Sequence, residues 1–338
     1  MHSTTQESNT TAQPNLRSRA LLAMFTVTII WGWTFVWMKQ AMSAGDAWLV
    51  AVAPQSAVGN LFEYEGLSAM VGMFMALRFS AAAILLALVS RRARRGLDRA
   101  AWYGGLLLGG LLLIGFFLQM FGLSSVSASV SAFLTSLYVV CTAAITAALA
   151  RRAPPLQLML GALLATLGAA YISGPPQISF GFGEWLSIAS AVVFAMHIVL
   201  TDRVTKRVEP LAVALTSFIV IAAGSALVAA AGFVSPHTPQ LSDIATLVVE
   251  RGFLVPLVCS SLFATLIAIS LMNMYQRELD PVRAAIIYSI EPVFAALIAI
   301  EIGMEHPNRW LYLGGGALLA GNLVAEMRRA PPASNARS

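Results

Sequence analysis

Long apolar stretches, most of them about twenty residues long, divide this 338-residue sequence and restrict the folds open to it. A helix that crosses a bilayer needs roughly 20 mostly apolar residues, because the hydrocarbon core is about 30 Å thick. Only 11% of the residues are charged, whereas soluble domains carry about 25%. The sequence therefore predicts an all-α integral membrane protein with ten transmembrane helices, at approximately 20–41, 68–90, 101–121, 126–150, 155–173, 182–201, 210–233, 253–274, 281–303 and 310–327.

The basic residues predict the orientation of these helices in the cell (inner) membrane. If the amino terminus is cytoplasmic, 17 of the 21 Lys and Arg residues lie in cytoplasmic loops or tails. Lys and Arg are enriched on the cytoplasmic side of membrane proteins, so both termini are predicted to be cytoplasmic. Residues 1–19 are predicted to form a disordered tail and residues 328–338 a second cytoplasmic tail. The basic residues lie in short clusters, such as 91–95, rather than on one continuous face, which argues against nucleic-acid binding.

An internal repeat connects the two halves of the chain. Shifting the sequence by 153 residues aligns 136–168 with 289–321, and nine of 33 positions are identical. The glycine pairs Gly161 with Gly314 and Gly168 with Gly321 are among the matches. Each repeat would contain five spans. Because five is an odd number, the second copy would start on the opposite side of the membrane and is predicted to be inverted, as in many secondary transporters. The repeats are predicted at 20–173 and 182–327, with the four glycines as structural contact points that let helix backbones approach closely.

Several stretches resemble one family of membrane carriers. The first span, "IIWGWTFVWMKQAM" (29–42), is similar to the opening signature of drug/metabolite transporters of the EamA type. The stretches "ALRFSAAAILL" (76–86) and "SIEPVFAALIAIEIGMEH" (289–306), the latter followed by "GGGALLAGNLVAE" (314–326), resemble later spans of that family. The resemblance implies a carrier that exports amino acids, related small metabolites or drugs. It also implies a central cavity between the halves and no cofactor or prosthetic group.

Glu291 is the most unusual residue, because it lies roughly 15 Å along an apolar span and directly precedes Pro292. A lone charge there costs at least about 2.5 kcal/mol, so Glu291 is expected to face a cavity or to stay protonated. Pro292, assigned a structural role, cannot donate a hydrogen bond to the carbonyl of Tyr288. Glu291 is thus a candidate proton-coupling and substrate-binding group, or else a protonated side chain that only closes the fold.

Other polar and aromatic residues within spans are candidates for the same site. Tyr138 occupies the repeat position that matches Glu291, and His197 is the histidine that falls within a span and could titrate near neutral pH. No metal site is predicted, since His197 has no second ligand at suitable spacing. The predicted substrate-binding residues are Trp31, Trp33, Thr34, Tyr138, Tyr288 and Glu291.

Arg78 lies well inside the second span, where a cation needs a partner. It could bind a substrate carboxylate through its two-pronged guanidinium group. Alternatively, Arg78 could form a structural ion pair with a protein carboxylate, or its side chain could extend toward the interface. We predict a structural role for Arg78.

The sequence therefore predicts a secondary active transporter that uses alternating access, with lipid and a small molecule as partners and protons as a candidate coupling ion. A membrane-embedded enzyme or an uncoupled channel is the alternative, although no H-E-x-x-H or Walker A sequence is present. The long connection at 43–67 has no assigned role, and the oligomeric state is not predicted.

Overall fold

The computed structural model describes residues 12–52, 60–151, 156–172, 180–232, 241–279 and 281–326. All regular secondary structure within these ranges is helical. The first half contains α1 (Ala12–Val52), α2 (Asn60–Val89), α3 (Arg91–Arg95), α4 (Arg99–Ser125), α5 (Ala128–Thr135), α6 (Tyr138–Leu149) and α7 (Leu156–Ile172). The second half contains α8 (Phe182–Thr205), α9 (Pro210–Gly232), α10 (Leu241–Val249), α11 (Arg251–Cys259), α12 (Ala268–Tyr275), α13 (Pro281–Tyr288), α14 (Glu291–Glu301) and α15 (Arg309–Glu326).

Eight helical segments in the described ranges are long and apolar enough to cross a membrane. They are Leu16–Val52, Gly66–Val89, Arg99–Ser125, Ala128–Leu149, Phe182–Thr205, Pro210–Gly232, Arg251–Glu278 and Pro281–Glu301. A ninth apolar stretch in α7, Met159–Gly168, is shorter. The prediction of an all-helical, multi-pass membrane protein is confirmed, with eight candidate spans in the described ranges.

The first two helices extend beyond their predicted boundaries. Helix α1 begins at Ala12, so residues 12–19 of the predicted disordered tail are helical, while residues 1–11 and 327–338 lie outside the described ranges. Helix α1 then continues to Val52 and α2 begins at Asn60, so most of the predicted 43–67 connection is helical as well. Hydropathy marks only the part of a helix that lies in hydrocarbon, and a helix can continue into the aqueous phase.

Three of the predicted continuous spans are interrupted. The 126–150 span is divided between α5 and α6, and the 281–303 span between α13 and α14. Between α11 and α12, residues Ser260–Ile267 form a π-helix, which follows a proline within α11, Pro256. Such irregular backbone is tolerated at membrane depth where protein or a cavity surrounds it.

Short polar side chains start the helices that follow tight connections. The side chain of Asp98 accepts from the N–H of Ala101 at 2.7 Å at the start of α4. The hydroxyl of Ser127 accepts from Val130 at 3.3 Å at the start of α5. These caps satisfy backbone donors that have no partner within the helix.

Several helices of the second half begin or end 153 residues after helices of the first half, which is the offset of the sequence repeat. Helix α13 begins and ends 153 residues after α5, and α15 begins 153 residues after α7. The most extensive helix pairs are α7 with α15, α2 with α9, and α4 with α8 and α9. The α7–α15 pair therefore joins corresponding helices of the two sequence halves.

Glycine residues let α7 and α15 pack with their backbones in contact. A Cβ atom added at Gly168 would collide with the backbone nitrogen of Leu318 and the carbonyl oxygen of Gly314. A Cβ atom at Gly321 would collide with the backbone nitrogen of Ala165 and the carbonyl oxygen of Gly161. The contact is reciprocal, since each helix supplies a glycine to the equivalent backbone of the other.

Candidate functional site

A small internal cavity of about 60 Å³ lies where helices from both halves of the chain meet. Mostly apolar walls with a few polar groups are typical of sites for small molecules. The lining side chains come from α1, α4, α5, α6, α8, α12, α13 and α14. They are Trp31, Thr34, Phe35, Leu112, Phe116, Gln119, Thr135, Tyr138, Phe194, His197, Ile198, Ile269, Met272, Tyr288 and Glu291.

Glu291 and Tyr138 meet in this cavity. The Tyr138 hydroxyl donates to Oε2 of Glu291 at 3.3 Å, and the two residues are 153 positions apart. Glu291 is only 7% exposed, and no Lys or Arg of the described ranges forms an ion pair with it. Glu291 is therefore a buried carboxyl group that lines the cavity and is held there by a neutral hydroxyl.

Both residues begin a helix that follows a break. Tyr138 starts α6 and Glu291 starts α14. The breaks are alike, since the Ser136 hydroxyl donates to the carbonyl of Phe133 at 2.7 Å and the Ser289 hydroxyl donates to that of Ile286 at 2.6 Å. Discontinuous helices of this kind form the binding sites of many transporters.

Pro292 lies in the first turn of α14, immediately after the break. An N–H at that position would have no partner within the helix, so proline is tolerated there. The helix before the break ends at Tyr288, whose carbonyl Pro292 cannot engage. Proline therefore fits the start of the second half-helix and does not kink a continuous one.

A second polar group in the cavity centres on Tyr288. Its hydroxyl donates to Oε1 of Gln276 at 3.2 Å, and Nε2 of Gln276 donates to the carbonyl of Ile198 at 2.9 Å. The Trp31 ring lies 5.2 Å from the Tyr288 ring between centroids, and its indole N–H donates to the carbonyl of Ala264 at 3.3 Å. This network fixes the orientation of two aromatic walls.

Thr34 and His197 also line the cavity, and their hydrogen-bond partners among the described residues lie in their own helices. The Thr34 hydroxyl donates to the carbonyl of Ile30 at 3.1 Å, one turn earlier in α1. Nε2 of His197 lies 3.4 Å from the hydroxyl of Thr201, within α8. No group of His, Cys, Asp and Glu in the part of the chain that the structure describes could hold a metal ion.

Trp33 does not belong to the cavity lining, unlike the other predicted substrate-binding residues. Its ring stacks on that of Trp37 with centroids 5.7 Å apart. Side chains two residues apart on a helix point in very different directions. Because Trp31 faces the cavity, Trp33 on the same helix cannot.

Arg78 is fully buried in α2 beside the cavity. Its Nε donates to the hydroxyl of Thr265 at 2.6 Å, and no carboxylate of the described ranges pairs with it. The expected ion pair is therefore not found among those residues, and a fully buried side chain does not extend to the interface either.

Sequence reasoning missed much of the apolar wall, including Phe116, Phe194 and Met272. Aromatic and aliphatic residues are common in every span of this chain, so none of them stands out in the sequence. Thr135 could have been found, because it matches Tyr288 at the same 153-residue offset that relates Tyr138 to Glu291.

This fold and cavity define a class of protein: a multi-pass helical membrane protein with an internal site for a small molecule. The model of the EamA-like transporter family matches residues 64–174 and 181–326. The chain therefore belongs to the EamA-like transporter family, and the resemblance seen in the sequence is confirmed.

The chain is also similar to individual proteins. An uncharacterized transporter of Archaeoglobus fulgidus is 26% identical over 215 residues, which span 64% of this chain and 66% of that protein. One solved crystal structure of a protein is 19% identical to this chain and aligns with a TM-score of 0.57. That alignment covers 91% of this chain and 96% of the solved one, which shows a shared fold.

Proposed function

We propose that this transporter is a secondary active exporter of amino acids, related small metabolites or drugs, and that it works by alternating access. The observation that carries the proposal is the contact between Tyr138 and Glu291, which brings equivalent positions of the two sequence halves together in one cavity. Substrate would contact Trp31, Thr34, Tyr138, Tyr288 and Glu291 in this cavity. Glu291 would couple transport to protons, with His197 as the second candidate.

In this proposal the chain forms ten membrane spans arranged as two inverted repeats, 20–173 and 182–327. The offset of 153 residues between α5 and α13 and between the starts of α7 and α15 supports the repeat. The α7–α15 contact supports it as well, because an approximate two-fold axis between the helices explains why Gly168 and Gly321 meet equivalent backbone atoms. Helices α7 and α15 would complete the ten spans.

Coupling would arise because substrate and proton compete for one carboxylate. When Glu291 is protonated, the Tyr138 hydroxyl remains as its partner. When Glu291 is ionised, a cationic or ammonium group of the substrate offers a better partner than a neutral hydroxyl. Exchange of one for the other, with the cavity open alternately to each side, would couple export to proton entry.

Two contacts at one end of the bundle join separate elements and would have to break if the cavity opens at that end. Nζ of Lys39 in α1 donates to the carbonyls of Leu123 and Val126 at the end of α4, at 2.7 and 2.9 Å. The Glu305 carboxylate, in the α14–α15 connection, accepts from the backbone N–H of Ser129 at 2.9 Å and from its hydroxyl. A cation at a helix C-terminus and an anion at a helix N-terminus are each favourable. In the proposed orientation these contacts would close the outer end.

The proposed function is tested by overexpression followed by reconstitution. Cells that overproduce the protein are challenged with a panel of amino acids and toxic analogues, and the medium is assayed for excreted metabolites. We expect raised tolerance and external accumulation for at least one compound, which purified protein in liposomes then transports under an imposed pH gradient. Absence of transport for every compound of the panel, with folded protein in the membrane, would contradict an exporter of these substrates.

The proposed orientation, with both termini cytoplasmic, predicts which exposed positions face outward. In a background carrying Cys141→Ala and Cys259→Ala, single cysteines replace Arg95, Lys206, Arg251 or His306, all of which are exposed. We expect an impermeant thiol reagent to label positions 251 and 306 in intact cells, and positions 95 and 206 only after the cells are opened. Labelling of position 95 in intact cells would show that the protein has the opposite orientation.

A further inference from the structure

The guanidinium group of Arg78 is the least satisfied charged group in the described part of the protein. Arg78 has no solvent exposure, and its Nε donates to Thr265. The two terminal nitrogens have no hydrogen-bond partner among the described residues. Each of them carries two N–H donors, so four donors of a permanently charged group are left without an acceptor.

Two aromatic rings partly compensate this charge. The guanidinium carbon lies 5.3 Å from the centroid of the Phe79 ring and 5.1 Å from that of Phe116. Cation–π contacts stabilise a cation but accept no in-plane hydrogen bond in the way that a carboxylate does. A buried cation held only by rings and one hydroxyl is expected to bind an anion if one can reach it.

Phe116 connects this cation to the cavity. Its ring contacts the Arg78 guanidinium and also forms part of the cavity wall, where it packs edge-on against Phe194 at 5.4 Å. Because this one side chain contacts both the guanidinium group and the cavity, a change of Phe116 to another staggered rotamer is the smallest movement that would connect Arg78 with the cavity.

The backbone that holds Arg78 is shared with another wall of the cavity. Thr265, the acceptor for Arg78, lies in the π-helical segment next to Ala264, whose carbonyl accepts from the Trp31 indole. Single π-helical turns within α-helices are frequent at functional sites. Arg78 and Trp31 therefore donate hydrogen bonds to adjacent residues of one irregular segment.

We propose that Arg78 binds the carboxylate of the transported substrate, which it reaches when the Phe116 side chain rotates away. The substrate class is then organic acids and zwitterions in which a carboxylate is attached to an apolar body that fits the aromatic walls. This inference rests on the proposed function, since it takes the cavity lined by Glu291 and Tyr138 as the transport site. Arg78 becomes a determinant of specificity instead of the purely structural residue that the sequence predicts.

The test uses benzoate and benzamide, which have nearly the same size and differ in the charged group. Binding of radiolabelled benzoate to the purified full-length protein is measured, with benzamide as competitor. We expect saturable benzoate binding, no competition by a tenfold excess of benzamide, and at least a tenfold loss of affinity in Arg78→Gln. Arg78→Lys keeps the charge but not the two-pronged geometry, so its affinity for benzoate should lie between that of the native protein and that of Arg78→Gln. Arg283→Gln changes an exposed arginine of α13 and should bind benzoate as the native protein does.

The outcomes separate this inference from the proposed function. Absence of benzoate binding to the native protein, equal competition by benzamide, or unchanged affinity in Arg78→Gln would each overturn the role of Arg78. If Arg78→Gln does not fold, the benzamide comparison and the Arg78→Lys affinity decide the question. If the protein transports no compound of the panel, that result contradicts the proposed function. Benzoate binding would still show whether Arg78 forms an anion site.

Discussion

Replacement of Glu291 with glutamine should reduce proton-driven accumulation of substrate in liposomes to the level of protein-free vesicles. Glutamine keeps the size of the side chain and can still accept from the Tyr138 hydroxyl, which donates to Glu291 at 3.3 Å, but it cannot gain or lose a proton. Exchange of substrate preloaded inside the vesicles should continue, because exchange needs alternating access but no net proton movement. The measurement compares uptake under an imposed pH gradient with counterflow in the absence of a gradient.

Glu301→Gln is the matched control, since Glu301 is an exposed carboxylate at the other end of the same helix. It should transport at the native rate under both conditions. If Glu291→Gln still concentrates substrate with a pH gradient alone, Glu291 has only a structural role. The coupling group is then elsewhere, and His197→Gln is the next variant to compare.

Leucine at Gly168 or at Gly321 should destabilise the protein strongly, and by similar amounts. Each new side chain would collide with backbone atoms of the facing helix, which cannot move aside as a flexible side chain can. Overpacking usually costs about 1–3 kcal/mol and sometimes more, and the backbone contact places these variants at or above the upper end of that range. The measurement is the melting temperature in detergent, followed by size-exclusion chromatography.

Gly316→Leu is the control for this pair. Gly316 lies on α15 near Gly321, but a Cβ atom there would meet nothing within 4 Å. We expect this variant to melt at or slightly above the native temperature, because leucine favours helix more than glycine does. Free tolerance of leucine at only one of Gly168 and Gly321 would show that the two glycines are not equivalent.

The sequence predicted the helical class of the fold because burial in lipid leaves a simple signal. An apolar stretch of about twenty residues has few alternatives to a spanning helix, and eight such helices lie in the described ranges. It did not predict the break before Tyr138, since residues 136 and 137 are as compatible with a helix as their neighbours are. The break before Glu291 was partly indicated by Pro292, although that proline lies after the break and not at its centre.

For the candidate site, polar residues were predictable and apolar ones were not. Glu291, Tyr138, Tyr288 and His197 stand out in apolar surroundings, and the structure brings all four to one cavity. Phe116 and Phe194 do not stand out, because the contact of Phe116 with Arg78 and the packing of Phe194 on Phe116 depend on how α2, α4 and α8 pack. Trp33 lies outside the cavity lining, because the sequence alone does not show which face of α1 turns inward, and its role in substrate binding stays a prediction.

The reciprocal contact between α7 and α15 has a consequence for the energetics of transport. Equivalent residues meet there, so an exchange of conformation between the two halves would leave that contact unchanged and the helix pair could remain stationary. In the proposed alternating access, this contact would be the same in both states and would not contribute to the difference in free energy between them. A gap of about 1 kcal/mol leaves both states populated at room temperature. A substrate or a proton then needs only a modest preference for one state to reverse their populations.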